Sequence, residues 1–177
     1  VIVKEKPYYV HKIGGYAKRQ RKGVHKVTSF KVGARLFNMH IAHLKAAGYR
    51  VILCAYNAGF DCRVLGHTAK RMTGEKFLRH SVDLLDIWGN WAISAPKAYT
   101  APPTKSGKFY STSAENVYRF EMQMPEFIEA HTAYEDTTIE SQILLKILNR
   151  KKRVKIVKSP RDFDHAIWEN FTIEGNA

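Results

Sequence analysis

The feature that most constrains the fold is a continuous apolar run of strand length over residues 50–56, Arg-Val-Ile-Leu-Cys-Ala-Tyr. Because polar residues do not alternate within it, both faces are expected to be covered, as in buried parallel strands. A helical pattern precedes the run, from Ser29 as N-cap to Gly48 as the C′ residue, and another follows through about Arg71. With a second strand expected over residues 81–88, this order predicts an α/β fold.

The rest of the chain divides into loops and helices. Residues 7–26 are basic and rich in tyrosine and glycine, which predicts an irregular stretch. Residues 96–108 hold three prolines and predict a mobile loop placed like a flap over a substrate. The run 112–115 (Thr-Ser-Ala-Glu) predicts a capping box that opens a helix, and a long apolar-periodic helix follows Asp136. A last helix, 160–172, is expected to dock on this domain or on a partner.

Length and composition favour one domain over residues 1–177. A chain of 177 residues that is 45% hydrophobic can bury one sizeable core. No apolar run approaches the ~20 residues needed to span a bilayer, so no membrane segment is expected. Cys54 and Cys62 lack the spacing of a zinc site and are interpreted as reduced core thiols of an intracellular, cytoplasmic protein.

The net charge of +13 is unevenly distributed. Residues 1–50 hold 12 Lys or Arg against one acid, residues 51–143 hold 9 against 11, and residues 144–177 hold 8 against 4. Basic ends around a slightly acidic middle are expected if the ends bind phosphates while central carboxylates hold cations. Nucleic acid is therefore the favoured partner, although a solvated surface or an acidic protein partner would give the same composition.

Two short patterns in the acidic middle carry potential chemistry. His131 stands five residues before Asp136, at the start of the long helix, and the pair suits proton transfer and metal binding. The simpler interpretation makes Asp136 a helix cap or first-turn acid. The second pattern, Asn57, Phe60 and Asp61, ends the apolar run and delivers another aspartate where a strand turns into a helix, which is a usual ligand position in α/β sheets.

These patterns resemble motifs of the DEDDh family of 3′–5′ exonucleases, the proofreading-subunit type. His131, Ala133 and Asp136 match its third motif, H-x-A-x-x-D, while Asn57, Phe60 and Asp61 match its second, N-x-x-F-D. The run 112–119, Thr-Ser-Ala-Glu-Asn-Val-Tyr-Arg, is similar to phage-encoded members. The resemblance implies a ribonuclease H-like fold, with a mixed central sheet flanked by helices, and a phage protein of the host cytoplasm.

The first motif of the family, Asp-x-Glu on a central strand, has no counterpart in this sequence. No Asp precedes Asp61, and Glu5 is the only acid among the first fifty residues. Residues 1–3 (Val-Ile-Val) suit the tail of a strand, and the N-terminus lacks an initiating Met. We therefore expect the chain to be the C-terminal portion of the domain, with its first strands upstream or on another chain, and a hole in the core where they belong.

The resemblance also implies roles for the matched residues. Asp136 and Asp61 would bind two divalent cations, Mg²⁺ or Mn²⁺, and His131 would accept the proton of the attacking water. Asn57 would brace the turn or touch substrate, and Phe60 would wedge against a terminal base, unless it is simply buried. The acids Glu5, Asp83, Asp86 and Glu135 are candidates by elimination for replacing the first motif.

The basic stretch suits a strand-binding loop. Arg19, Arg21 and Lys22 lie among tyrosines, and this mixture of cations and aromatic faces is typical of sites that bind single strands. A basic surface loop whose tyrosines pack inward would have the same composition. The resemblance to the exonuclease family implies a single-stranded 3′ end as the partner. A DNA polymerase is a further expected partner. Two alternatives stay open: a non-catalytic relative acting as a basic nucleic-acid-binding or replication-complex protein, and an ordinary α/β interaction domain.

Overall fold

The computed structural model describes residues 7–24, 26–129, 132–150, 153–159, 162 and 166–173. Its centre is a two-stranded parallel sheet made of β1 (Ile52–Ala55) and β2 (Asp83–Asp86), with Ile52 opposite Asp83 and Ala55 opposite Asp86. The predicted α/β class and the parallel pairing are confirmed. An isolated antiparallel bridge between Leu84 and Val157 covers the other side of β2.

The two strands differ in burial. All four residues of β2 are buried, as expected for a parallel strand, whereas β1 is half-buried and Cys54 is exposed. Among the described residues β1 pairs only with β2, so its outer edge is open. The expectation that Cys54 is a core thiol is therefore wrong, because no strand within the described ranges covers this edge.

Two helices flank β1 in sequence, and both begin and end as the local signals predict. Helix α2 (Phe30–Ala46) starts after Ser29, whose hydroxyl accepts from the Val32 amide, and the chain leaves it through Gly48 at φ +84°. Helix α3 (Ala58–Thr73) is capped by Asn57 and ends at Gly74, whose left-handed φ of +73° favours glycine. His40 and His43 are exposed on α2.

Three predictions about the secondary structure are wrong, one in the type of element and two in its boundary. The basic stretch is a helix, α1 (Pro7–Arg21), rather than irregular, and it starts at a proline, which suits a first helical position. The second strand stops at Asp86, whose side chain caps helix α4 (Ile87–Ala92). Helix α5 (Ala114–Met122) is capped by Ser113, one residue later than the predicted capping box.

The long helix α6 (Ala133–Arg150) starts three residues before Asp136 and buries the predicted apolar stripe. Ile139, Ile143 and Ile147 pack in the main core cluster, which is built around the fully buried Trp91. A smaller cluster lies on the other side of β2: Leu85 belongs to the first cluster and Leu84 to the second, since alternate strand residues face opposite ways.

The C-terminal segment packs on this domain. Of the predicted helix 160–172, residues 160, 161 and 163–165 lie outside the described part, and a 3-10 helix is found at Ala166–Phe171. Phe171 is buried and stacks on Trp91 with 5.3 Å between ring centroids. Residue 171 of the predicted docking helix therefore packs on its own domain.

The proline-rich segment 96–108 is non-helical, as predicted, but it is anchored. Tyr99 is buried edge-on against Trp91, and its hydroxyl donates to the Ser111 carbonyl at 2.6 Å. Pro103 and Tyr110 form an antiparallel bridge. Among the described helices, none combines the length and the apolar character that a membrane crossing requires.

Candidate active site

The second motif forms the turn between β1 and α3. The Asn57 side chain accepts from the Phe60 amide at 3.1 Å, and the Asn57 carbonyl accepts from the Asp61 amide at 3.0 Å. Asn57 therefore braces the turn, one of its two expected roles. Asp61 lies in the first turn of α3, where partial burial raises the pKa of its carboxyl group.

Phe60 projects from this turn into solvent. Its side chain is 51% exposed, and the Arg63 guanidinium lies 5.7 Å from the ring centroid. The expectation that a lone phenylalanine is buried is wrong here. An exposed aromatic face one residue from Asp61 suits stacking on a nucleobase.

The third motif opens α6, but Asp136 is not its cap. Thr132 has that role: its hydroxyl accepts from the Glu135 amide at 3.3 Å and pairs with the Glu135 carboxylate, and its carbonyl accepts from the Asp136 amide at 2.8 Å. The Oδ1 atom of Asp136 is buried and lacks a hydrogen-bond partner among the described residues. Asp136 is therefore a first-turn acid, as the simpler interpretation allowed, but not the cap, and capping does not account for its buried oxygen. His131 lies outside the described residues.

Glu140 joins the two motifs, and the sequence analysis missed it. It follows Asp136 by one helical turn on the same face of α6, and its carboxylate accepts from the Tyr56 amide at the end of β1, at 3.2 Å. Burial, together with the negative charges of Asp61 and Asp136, raises the pKa of Glu140 to about 7. Asp61 and Asp136 are therefore both near enough to the Glu140 carboxyl group for their charges to act on it.

Glu129 is a second carboxylate that the sequence analysis missed. Burial, together with the charge of Asp136 and a hydrogen bond with it, raises the pKa of Glu129 to about 7. The charges of Glu115 and Glu140 act in the same direction. The spacing of four from Asp136 to Glu140 was a sequence signal for that residue, whereas the place of Glu129 depends on tertiary structure.

The described acids that were proposed by elimination form hydrogen bonds or ion pairs elsewhere in the fold. Asp83 binds Arg50 and Lys158 at 2.6 Å each, and its hydrogen bonds with Lys158 and Arg50 lower the pKa of its carboxyl group. Asp86 accepts from the Ala58 and Gly89 amides, both at 2.7 Å. Glu135 completes the cap described above, and Glu5 lies outside the described residues. None of the three described acids is thus free to replace the first motif.

The carboxylate cluster, defined here as Asp61, Glu129, Asp136 and Glu140, fits divalent cations in its chemistry. Hard carboxylate oxygens are the ligands that Mg²⁺ and Mn²⁺ prefer, and an unpartnered buried Asp136 oxygen suits a cation as its partner. Within the described ranges, however, no three His, Cys, Asp or Glu side chains are placed to hold a metal ion together. The donor chemistry fits, and the donor number is incomplete.

Helix α1 reaches this site. The Tyr16 hydroxyl accepts from the Ala133 amide, the first residue of α6, at 3.3 Å. Arg19 follows Tyr16 by three residues and shares its helix face, whereas Arg21 and Lys22 are exposed on other faces. Of the three predicted substrate cations, Arg19 is therefore the one on the side of α6.

An apolar cavity of about 650 Å³ lies against β1, with residues of β2, α2 and α3 also in its wall. Its wall is mostly apolar, with Asp61 and three charged side chains among its residues. The residues from β1 and the neighbouring elements include Leu53, Cys54, Ala55, Leu65, Phe77 and Leu84. The cavity wall therefore includes residues of β1, β2 and α3.

In comparisons with known proteins, no family model, no curated protein and no solved structure matches this chain.

Proposed function

We propose that the chain is a major part of a metal-dependent 3′–5′ exonuclease of the DEDDh class with a ribonuclease H-like fold. The observation that carries the proposal is the Asp136 carboxylate. It stands in the first turn of α6 without a capping role and has a buried oxygen that lacks a described partner. Its charge, like that of Asp61, raises the pKa of Glu140. The pKa values of Glu129 and Glu140 in this cluster are raised to about 7, and a bound cation would favour their ionised forms.

Asp136 and Asp61 would hold two Mg²⁺ or Mn²⁺ ions, with Glu140 as the nearest further donor. Such ions, when bound, activate a water molecule and stabilise the charge of a phosphodiester transition state. His131 would accept the proton from that water, because an imidazole accepts protons near neutral pH. Phe60 would stack on the terminal base, and Asn57 would hold the turn that presents both.

Helix α1 would bind the substrate backbone. Arg19, Arg21 and Lys22 supply cations for phosphates, and the contact of Tyr16 with Ala133 places this helix beside the start of α6. The proposed substrate is a single-stranded 3′ end, in the cytoplasm of a phage-infected host. A DNA polymerase is a proposed partner.

The missing acids would come from a polypeptide that completes the sheet. The open edge of β1 can accept a strand, and the apolar cavity beside it can accept that strand's side chains. An Asp-x-Glu on this strand would raise the number of donors around Asp61 and Asp136. The proposal therefore includes the first motif, joined upstream or on a second chain.

The test is Mn²⁺-dependent release of mononucleotides from 5′-labelled single-stranded DNA and RNA, with and without a segment that carries Asp-x-Glu. Asp136→Asn should reduce the rate by at least about a hundredfold, because it removes a carboxylate that would hold the cation. The matched control is Asp162→Asn, at an exposed aspartate that accepts from the Ser159 amide. Equal rates for the two variants would refute the proposal.

The incomplete donor set favours one alternative, a non-catalytic relative that binds nucleic acid through its basic ends. That protein would bind single-stranded DNA with a strong salt dependence and release no nucleotides, even with the completing segment and Mn²⁺. Fluorescence anisotropy between 50 and 200 mM salt, on the samples used for cleavage, distinguishes the two functions.

A further inference from the structure

The run 112–119 gains a physical role from contacts that its sequence did not reveal. Its last residue, Arg119, donates from Nε to the Phe127 carbonyl and from Nη2 to Glu115 Oε1, both at 2.6 Å. The same Glu115 oxygen accepts from the Glu129 amide at 3.3 Å. The two side chains therefore bind the backbone of residues 127–129 at a carbonyl and at an amide.

This bracing has the features of a preorganised support. A guanidinium offers donors in fixed directions, which lysine cannot reproduce. Both side chains are mostly buried, with 28% exposure for Arg119 and 21% for Glu115, so their charged hydrogen bonds are shielded from solvent. The Phe127 ring packs against Tyr118 of the same helix, with 4.5 Å between centroids.

The braced segment carries a carboxylate of the cluster. Glu129 follows Phe127 by two residues, and its side chain is hydrogen-bonded with Asp136 at the start of α6. The place of this carboxyl group therefore depends on how the backbone of residues 127–129 is held. The held atoms are the carbonyl oxygen of Phe127 and the amide of Glu129 itself.

We propose that Glu115 and Arg119 are positioning residues, which hold residues 127–129 on α5 so that the Glu129 carboxylate stays against Asp136. Their contribution to catalysis rests on the proposed exonuclease function, whereas their contribution to the placement of Glu129 does not. The two parts are measured separately.

The first measurement is amide hydrogen exchange at Glu129. Arg119→Lys and Glu115→Ala should each raise its rate by about tenfold or more relative to the wild type, because a hydrogen bond to a charged group is lost or loosened. Glu115→Gln keeps an oxygen acceptor for the amide and should restore most of the protection. The matched control is Arg150→Lys, since Arg150 makes a similar 2.7 Å bond from the end of α6 to Glu121 of α5.

The second measurement is steady-state cleavage with the completed protein. Arg119→Lys should lower kcat with KM nearly unchanged, since Arg119 is proposed to act on the cluster and not on the substrate. Arg150→Lys should change neither constant.

Three results would overturn the proposal. The first is unchanged exchange at Glu129 in both Arg119→Lys and Glu115→Ala, and the second is equal exchange in Glu115→Gln and Glu115→Ala. The third is loss of a cooperative thermal transition in Arg119→Lys and Glu115→Gln alike, which would make the pair general fold supports. If exchange changes as expected but the wild type releases no nucleotides, the bracing stands and the exonuclease function fails.

Discussion

Replacing Glu140 by glutamine should stabilise the metal-free protein at alkaline pH. Burial and the charges of Asp61 and Asp136 raise the pKa of Glu140 to about 7, from an ordinary value of 4.5. The folded chain then binds more protons than the unfolded chain, so ionisation of Glu140 destabilises the fold. This cost is absent below about pH 4.5, grows as the pH rises through 7, and is complete above it.

The magnitude follows from the pKa difference. At about 1.4 kcal/mol per unit, a rise from 4.5 to about 7 corresponds to about 3 kcal/mol. The carboxyl group is only partly buried, and solvent screening reduces this value to about 1–2 kcal/mol. Glutamine has nearly the same shape and keeps an oxygen acceptor for the Tyr56 amide, so Glu140→Gln removes the charge and little else.

The assay is urea unfolding with EDTA at pH 4.5 and pH 8. Glu140→Gln should exceed the wild type by about 1–2 kcal/mol at pH 8 and equal it at pH 4.5. The control is Glu126→Gln, at an exposed site, which should change stability little at either pH. Equal stability of wild type and Glu140→Gln at pH 8 would refute the reasoning, as would a gain of the same size at both pH values.

Three other substitutions test the site and the fold. Phe60→Ala should weaken single-stranded DNA binding by about fivefold or more in an anisotropy titration, with little change in thermal stability, because the ring is exposed. Phe171→Ala should lower the free energy of unfolding by about 3–5 kcal/mol in urea, because it empties the space against Trp91. Gly89→Ala should cost about 1–2 kcal/mol in the same assay, because the new Cβ would lie 2.8 Å from Asp86 Oδ2; unchanged stability would contradict the cap.

Local signals predicted much of the fold. Ser29 and Gly48 bounded α2 because a cap hydroxyl and a left-handed glycine act through neighbouring backbone atoms. Helix α1 was missed because its tyrosines, cations and paired glycines suggested a loop, although Pro7 marks a favourable first helical position. Ile87 and Trp88 were assigned to a strand because a short apolar run does not distinguish a buried strand from a buried helix.

The candidate site was predictable only where its chemistry is local. Asp61 and Asp136 stand in motifs, and Asn57 caps the next helix as its residue type favours. Glu129 joins them because α5 holds its backbone from a distance along the chain, which no spacing reveals. Burial of β1 was overestimated because a continuous apolar run predicts cover on both faces, whereas among the described residues β1 pairs with β2 alone.

Asp86 has a mechanical consequence for the turn that carries Asp61. Its carboxylate accepts amides from the first residue of α3 and from the first turn of α4, and it is itself the last residue of β2. A force on α3, such as the pull of a departing strand of nucleic acid, would pass directly into the sheet and α4. The turn that carries Asp61 is therefore tied to both β2 and α4. A substitution that weakens the Asp86 hydrogen bonds should displace the carboxylate cluster without changing any of its acids.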